Sequence, residues 1–294
     1  MKKIVIASLL SVAALSVSAQ TVVYGSLRSF VDNTKTGAVS TTSMVSDSSR
    51  IGVTVTEQLG GGLSARATLE TSIASTNPNG ANTLGDRQST VGIASGLGSV
   101  DVGRKFNSHF LAVTGNDAFG TAYGSVAGDV HNVRTVRSGD AVFVNSKLGP
   151  VAVAVDRTVS TAATEATTVS LGTTFNTALG AVSATVARFE SGVEKSTVVA
   201  GQTKAFGTQV FLSHSVDNGV AGESKGTLVG AAYTIPASPL TVKTSIGRKT
   251  GDVTAWNLGA EYALSKRTGI NVAYRNVNAA TDVKQVGVGL VHQF

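Results

Sequence analysis

The chain has 294 residues, with 24 Lys and Arg against 18 Asp and Glu, four His and no Cys. The missing cysteines exclude disulfides, zinc–thiolate sites and cysteine nucleophiles. Charged residues make up 14% of the chain, low against about 25% for a soluble globular protein, and the mild basic excess favours anions in a confined space over nucleic acid.

The chain opens on a targeting pattern. Lys2 and Lys3 form a positive n-region, Ile4–Leu15 a short apolar core, and Val17 and Ala19 a signal-peptidase site. About 12 apolar residues are too few to span a bilayer, so residues 1–19 are expected to be a cleaved Sec signal peptide. One domain, 20–294, would follow. Without Lys2 and Lys3 it holds 22 basic and 18 acidic side chains, a net +4. No later stretch approaches the ~20 consecutive apolar residues of a spanning helix.

The clearest pattern lies in Ser49–Ile73, SRIGVTVTEQLGGGLSARATLETSI. Ile51, Val53 and Val55 share one parity, and Arg50, Gly52, Thr54 and Thr56 the other. After Gly60-Gly61-Gly62, Leu63, Ala65, Ala67, Leu69 and Ile73 oppose Ser64, Arg66, Thr68, Glu70 and Ser72. A period of two places successive side chains on opposite sides of a strand, and three glycines supply the backbone freedom of a tight reversal. The stretch is a β-hairpin with one apolar and one charged face.

The alternation recurs to the end of the chain. Candidate strands are 21–31, 49–58, 62–73, 86–95, 97–104, 139–147, 150–158, 166–176, 180–190, 195–203, 206–215, 225–235, 239–249, 253–263, 268–277 and 283–294. Their connections alternate between short turns (Leu59–Gly61, Gly96, Lys147–Gly149, Thr177–Leu179, Leu264–Arg267) and expected long loops (Asp32–Ser48, Ala74–Gly85, Lys105–Ser138, Val216–Ser224). That is the pattern of an all-β, 16-stranded antiparallel transmembrane barrel. A face carrying Arg50, Arg66, Glu70, Lys243, Glu261 and Arg275 cannot enter a dry core. The polar face is therefore expected to line a wet lumen and the apolar face to meet lipid.

The residues that bound these strands resemble the β-proteobacterial type of Gram-negative general-diffusion porin. The matching pieces are Tyr24-Gly25, Ser49-Arg50-Ile51-Gly52, Glu57 through Leu63, Arg87-Gln88 with Val91-Gly92, and Gly98-Ser99-Val100 with Gly103-Arg104. Ala263 through Thr268 and the terminus Gly287 through Phe294 complete the set. The resemblance implies a homotrimer in the outer membrane, among lipid and lipopolysaccharide, passing small hydrophilic solutes and anions without a cofactor. It implies a third loop, Lys105–Ser138, folded into the lumen, with an Asp117-Ala118-Phe119-Gly120 run similar to one seen in such loops. It also implies constriction arginines at Arg50, Arg87 and Arg137, and a terminal Phe294 read by the barrel-assembly machinery. The chain departs from the family pattern at Arg28, Val291 and Lys147-Leu148-Gly149-Pro150.

Parity places Arg50, Arg66, Glu70, Lys243 and Arg275 toward the lumen, whereas strict alternation sends Arg87 outward unless a bulge intervenes. Asp117 and Asp129 have two readings, the acidic side of a constriction or plain turn residues. His109, His131, His214 and His292 are scattered without ligand spacing, so no metal site is expected. No GxSxG or strand-linked GxGxxG occurs, and the few aromatics among the basic residues do not suit nucleic-acid stacking. A closed-lumen structural or adhesin-type barrel is the alternative to a channel, and an outer-membrane enzyme is disfavoured by the lack of a catalytic cluster.

Overall fold

A computed structural model of the chain describes residues 19–76, 83–133, 135–159, 165–177 and 180–294. All but the last residue of the expected leader 1–19, and parts of Ala74–Gly85 and Thr177–Leu179, lie outside the described residues. In chain order the strands are β1 (Gln20–Thr36), β2 (Val39–Ser46), β3 (Arg50–Gly60), β4 (Leu63–Ser72), β5 (Gln88–Ser95) and β6 (Gly98–Phe106). Helices α1 (Ser108–Thr114) and α2 (Ala127–Val130) follow. Then come β7 (Arg137–Leu148), β8 (Val151–Thr158), β9 (Thr167–Thr177), β10 (Gly180–Ser191), β11 (Glu194–Ala205) and β12 (Thr208–Gly219). The last are β13 (Gly222–Thr234), β14 (Leu240–Lys249), β15 (Val253–Ala263), β16 (Thr268–Asn278) and β17 (Val283–Gln293).

All strands belong to one antiparallel sheet, which closes where β1 pairs with β17 from Ser26↔Gln293 to Thr36↔Val283. β1 also pairs with β2 through its second half and with β3 through its first half. β2 and β3 are thus two lengths of one broken strand, and the barrel has sixteen staves. The break, Asp47–Ser49, carries Ser48 at φ 57°. It is tied down by an Arg28–Asp47 ion pair of 3.0 Å and by a hydrogen bond from the Arg28 N–H to Ser49 Oγ at 2.9 Å. At the reversal between β3 and β4, Gly60, Gly61 and Gly62 all take positive φ, the conformation that non-glycine residues resist.

Two expected long loops are absent. Asp32–Ser48 is mostly strand, with β1 running to Thr36 and β2 starting at Val39. Val216–Ser224 is likewise the end of β12 and the start of β13 around Val220 and Ala221. Asp32–Ser48 is rich in Thr and Ser, and Val216–Ser224 mixes Asp, Asn, Gly, Glu and Ser. They stand beyond the apolar band, so no apolar alternation marks them, yet threonine suits the pleated ladder.

One parity of every stave is apolar and outward. Val53, Val91, Leu212, Ile246, Trp256 and Val288 are all exposed, a belt far larger than a soluble surface tolerates. The opposite parity is mostly polar or small, with Phe30, Phe143, Phe189, Phe211 and Leu228 buried on it.

Candidate functional site

The segment between β6 and β7 lies on the polar face of the sheet. Asn107 caps α1, its side-chain oxygen accepting from the Phe110 N–H at 2.7 Å. α1 packs on β8 to β11 and α2 on β13 to β15. Val113, Val126, Ala127 and Val130 form a buried cluster with Val198, Ala200, Leu228, Ala255 and Val277. Phe119 joins Phe211 and Ala273 in a second cluster. Tyr123 stacks on Phe30 with ring centroids 4.0 Å apart, and its hydroxyl donates to Asp32. Burial and that carboxylate push the phenol far above its ordinary pKa.

The strands make room by being small. A Cβ on Gly226 would strike the Val130 carbonyl, one on Gly259 the Phe119 ring, and one on Gly287 the Tyr123 hydroxyl. Two buried histidines complete the docking. His109 Nε2 lies 2.7 Å from Ser196 Oγ, and His131 lies 2.9 and 2.8 Å from the hydroxyls of Ser215 and Ser213. Burial pulls both imidazoles down to about 4. Neither histidine was identified from sequence as a docking residue. The trace in the sequence is slight: Ser213 and Ser215 share one parity of β12, and Ser196 is the one hydroxyl residue on its parity of β11.

Among the described residues, no hydrogen bond or ring contact from 107–136 reaches β3, β4 or β5. There the polar face carries long cations. Glu70 holds two of them, Arg87 Nε at 2.6 Å and Arg50 Nε at 3.6 Å. Asp101 also holds two, Arg66 at 3.4 Å and Lys105. Arg137, first residue of β7, stacks on the Phe106 ring with its guanidinium carbon 4.1 Å from the centroid, and its charge interacts with Arg87. Strict alternation would have sent Arg87 to the apolar side. It precedes β5, whose ladder begins at Gln88, and so escapes that alternation.

Asp117 is 4% exposed; it accepts from the Thr121 N–H at 2.7 Å and from Ser125 Oγ at 2.6 Å. Its geometry is that of a turn residue inside the segment. Asp129 sits on α2 and pairs with Arg275 of β16 at 3.2 Å, while burial raises its carboxyl above the usual range. Lys243 pairs with Glu261 at 2.6 Å. Phe294 meets β1 at the seam, its N–H and carbonyl both bonded to Gly25 at 3.1 and 3.0 Å. The described residues contain no group of three or more metal-ligating side chains.

A family model described as Gram-negative porin matches residues 6–282. Among solved structures, the anion-selective porin from Comamonas acidovorans is 17% identical, covers 94% of this chain and 100% of its own, and has a TM-score of 0.73. OmpF of Salmonella typhi, complexed with daunomycin, is 16% identical over 93% and 97% of the two chains, with a TM-score of 0.71. The trimer form of OmpT from Vibrio cholerae is 13% identical over 94% and 100%, also at 0.71. No curated protein sequence matches the chain. The structural likenesses, at these identities, establish the barrel; the family match spans nearly all of it. A closed sheet, apolar outside and charged on its other face, is what a water-filled passage through lipid requires, and the protein belongs to the Gram-negative porin family, a channel of the outer membrane.

Proposed function

We propose that this channel passes small hydrophilic solutes by diffusion, prefers anions, and is narrowed by residues 107–136 folded into its lumen. The observation that carries the preference is the cation excess on the uncovered wall. Two arginines share Glu70, Arg66 and Lys105 share Asp101, and Arg137 has no carboxylate partner among the described residues. The acids that could balance them from the segment are engaged elsewhere, Asp117 in its own turn and Asp129 with Arg275. Unbalanced charge on a narrow passage raises the local counter-ion concentration. The anion-selective Comamonas porin supports the reading, and the trimeric Vibrio OmpT supports assembly of this chain as a homotrimer. Export through a Sec leader over 1–19 completes the proposal.

The test is the zero-current potential of the reconstituted protein across a KCl gradient. An anion-selective potential that shrinks as ionic strength approaches 1 M, where the Debye length is about 3 Å, is the expected result. Cation selectivity would overturn the proposed preference. A barrel that folds but never conducts would favour the closed-lumen alternative.

A further inference from the structure

Beside the foot of residues 107–136, the lumen wall holds a cavity of about 200 Å³. Lys105 and Phe106 at the end of β6, Phe143 of β7 and Leu111 of α1 line it, together with the side-chain amides of Gln88 and Asn145. Of residues 108–113, Leu111 is the one that stays exposed, at 50%. Its neighbours on α1 are buried against the wall. A leucine left open to a wet lumen is apolar surface whose covering is favourable. The polar groups have capacity to spare as well. An ammonium carries three donors. Among the described residues, Lys105 uses one on Asp101, and its charge stands 4.7 Å from the centre of the Phe143 ring. Gln88 donates to Thr90 Oγ1 at 3.1 Å, and the Asn145 side chain has no hydrogen-bond partner among the described residues. The nearby acids are committed. Asp156 accepts from the Ser108 N–H at 2.9 Å and lies 3.5 Å from Ser138 Oγ, while Asp101 holds both Lys105 and Arg66.

We propose that this cavity is a subsite for a small carboxylate with a flat apolar body. Lys105 takes the carboxylate, Asn145 and Gln88 add amide donors, and the apolar body covers Leu111 and Phe106. An apolar cavity of roughly 150 Å³ holds a benzene ring, so a ring with one carboxylate suits the space here. Other solutes match half of the lining. Chloride or phosphate would leave the leucine and the phenylalanines wet. A sugar would leave the ammonium without a counter-charge, and an organic cation would meet Lys105 as like to like. The inference rests on the reading of the lumen as an anion-preferring passage and names a solute class for it.

The experiment is equilibrium dialysis of labelled benzoate at neutral pH against the full-length folded protein in detergent, with acetate and benzamide as competitors. Benzoate should bind saturably. Acetate, which has the charge without the ring, and benzamide, which has the ring without the charge, should each compete at least about tenfold less well. Lys105→Gln should weaken benzoate about tenfold and Leu111→Ser about fivefold, while Lys266→Gln should bind as wild type. Folding is checked by heat-modifiable gel migration, and Leu111→Ser, at an exposed position, carries the test if Lys105→Gln misfolds. Absence of saturable binding overturns the proposal, as does unchanged affinity in the variants. Competition by acetate as strong as by benzoate, or a loss confined to Lys105→Gln when both variants fold, would leave an ordinary anion site and overturn it. Equal competition by benzamide would leave a merely apolar one and overturn it too. Dialysis needs no conduction, so the two readings fail separately. A cation-selective potential in KCl with benzoate bound would sink the anion preference alone, and an anion-selective potential without benzoate binding would sink the subsite alone.

Discussion

The stretch of barrel from β10 to β17 and the stretch from β3 to β7 use the same antiparallel ladder for opposite ends. The first is floored with Gly226, Gly230, Gly247, Gly259, Ser213 and Ser215, and residues 107–136 are packed onto it. The second is floored with Arg50, Arg66, Arg87, Lys105 and Arg137, and among the described residues the segment makes no hydrogen bond or ring contact with its strands β3, β4 and β5. The dock is floored with small residues and a few apolar ones such as Phe211 and Leu228, the open wall with long cations. Small residues let a backbone approach closely, whereas long hydrated cations resist the desolvation that covering them would bring. The acids of the segment follow this division, Asp129 meeting its cation on the covered side.

That division can be broken in five ways, in order of expected effect. Deleting Phe294 removes the two backbone hydrogen bonds that close the seam at Gly25. Folded outer-membrane protein should fall several-fold or more by heat-modifiable migration, and normal levels would show that the terminal residue is dispensable.

Acid should attack the dock next. His109 and His131 are held near 4 when buried and return to about 6.5 when solvated. The stabilisation they lend to docking is full above pH 6.5 and is lost as pH falls toward 4, by about 1.4 kcal/mol per pH unit for each histidine. Amide protection factors in 107–136, taken against the intrinsic exchange rate at each pH, should fall between pH 6.5 and 4.5, and His131→Asn should flatten that dependence. A pH-independent protection factor would mean the histidines stay neutral in the undocked segment too.

Gly226→Val drives a side chain into the Val130 carbonyl, an overpacking worth roughly 1–3 kcal/mol. Single-channel conductance should rise as the segment shifts, with the selectivity sign unchanged. On the open wall the effects are electrostatic and smaller. Arg50→Ala should lower the anion-to-cation permeability ratio roughly twofold at low salt, and Glu70→Gln should raise it. A ratio that moves the same way in both would remove Arg50 and Glu70 from the passage. Lys266, exposed in the turn 264–267, should change the ratio by less than about 10% at physiological salt, where the Debye length is about 8 Å.

The barrel was legible in the sequence wherever lipid imposes alternation, as in Trp256, Leu258, Ala260 and Tyr262 against Asn257, Gly259 and Glu261. The expectation failed beyond the lipid. Thr34 to Thr36 and Ser40 to Ser43 are strand with water on both faces, and nothing in their order distinguishes them from a loop. Among candidate site residues, Arg50, Arg66 and Glu70 were legible by parity, and Arg87 only by resemblance because it sits just outside its ladder. The docking of His109 and His131 was not legible. Their serine partners lie on distant strands, and an isolated histidine in a loop has no local period to betray its burial.

The seam carries a consequence in time. One edge of Ser26 to Thr36 pairs with β2 and β3 close by in the chain, and the other only with Val283 to Gln293, a strand far along it. Until it arrives, any partial sheet keeps two raw edges, and hydrocarbon offers nothing to bond them. No half-barrel can therefore wait in the bilayer for its remainder. Closure and insertion are therefore expected to be coupled in one event that waits for β17 to pair with β1.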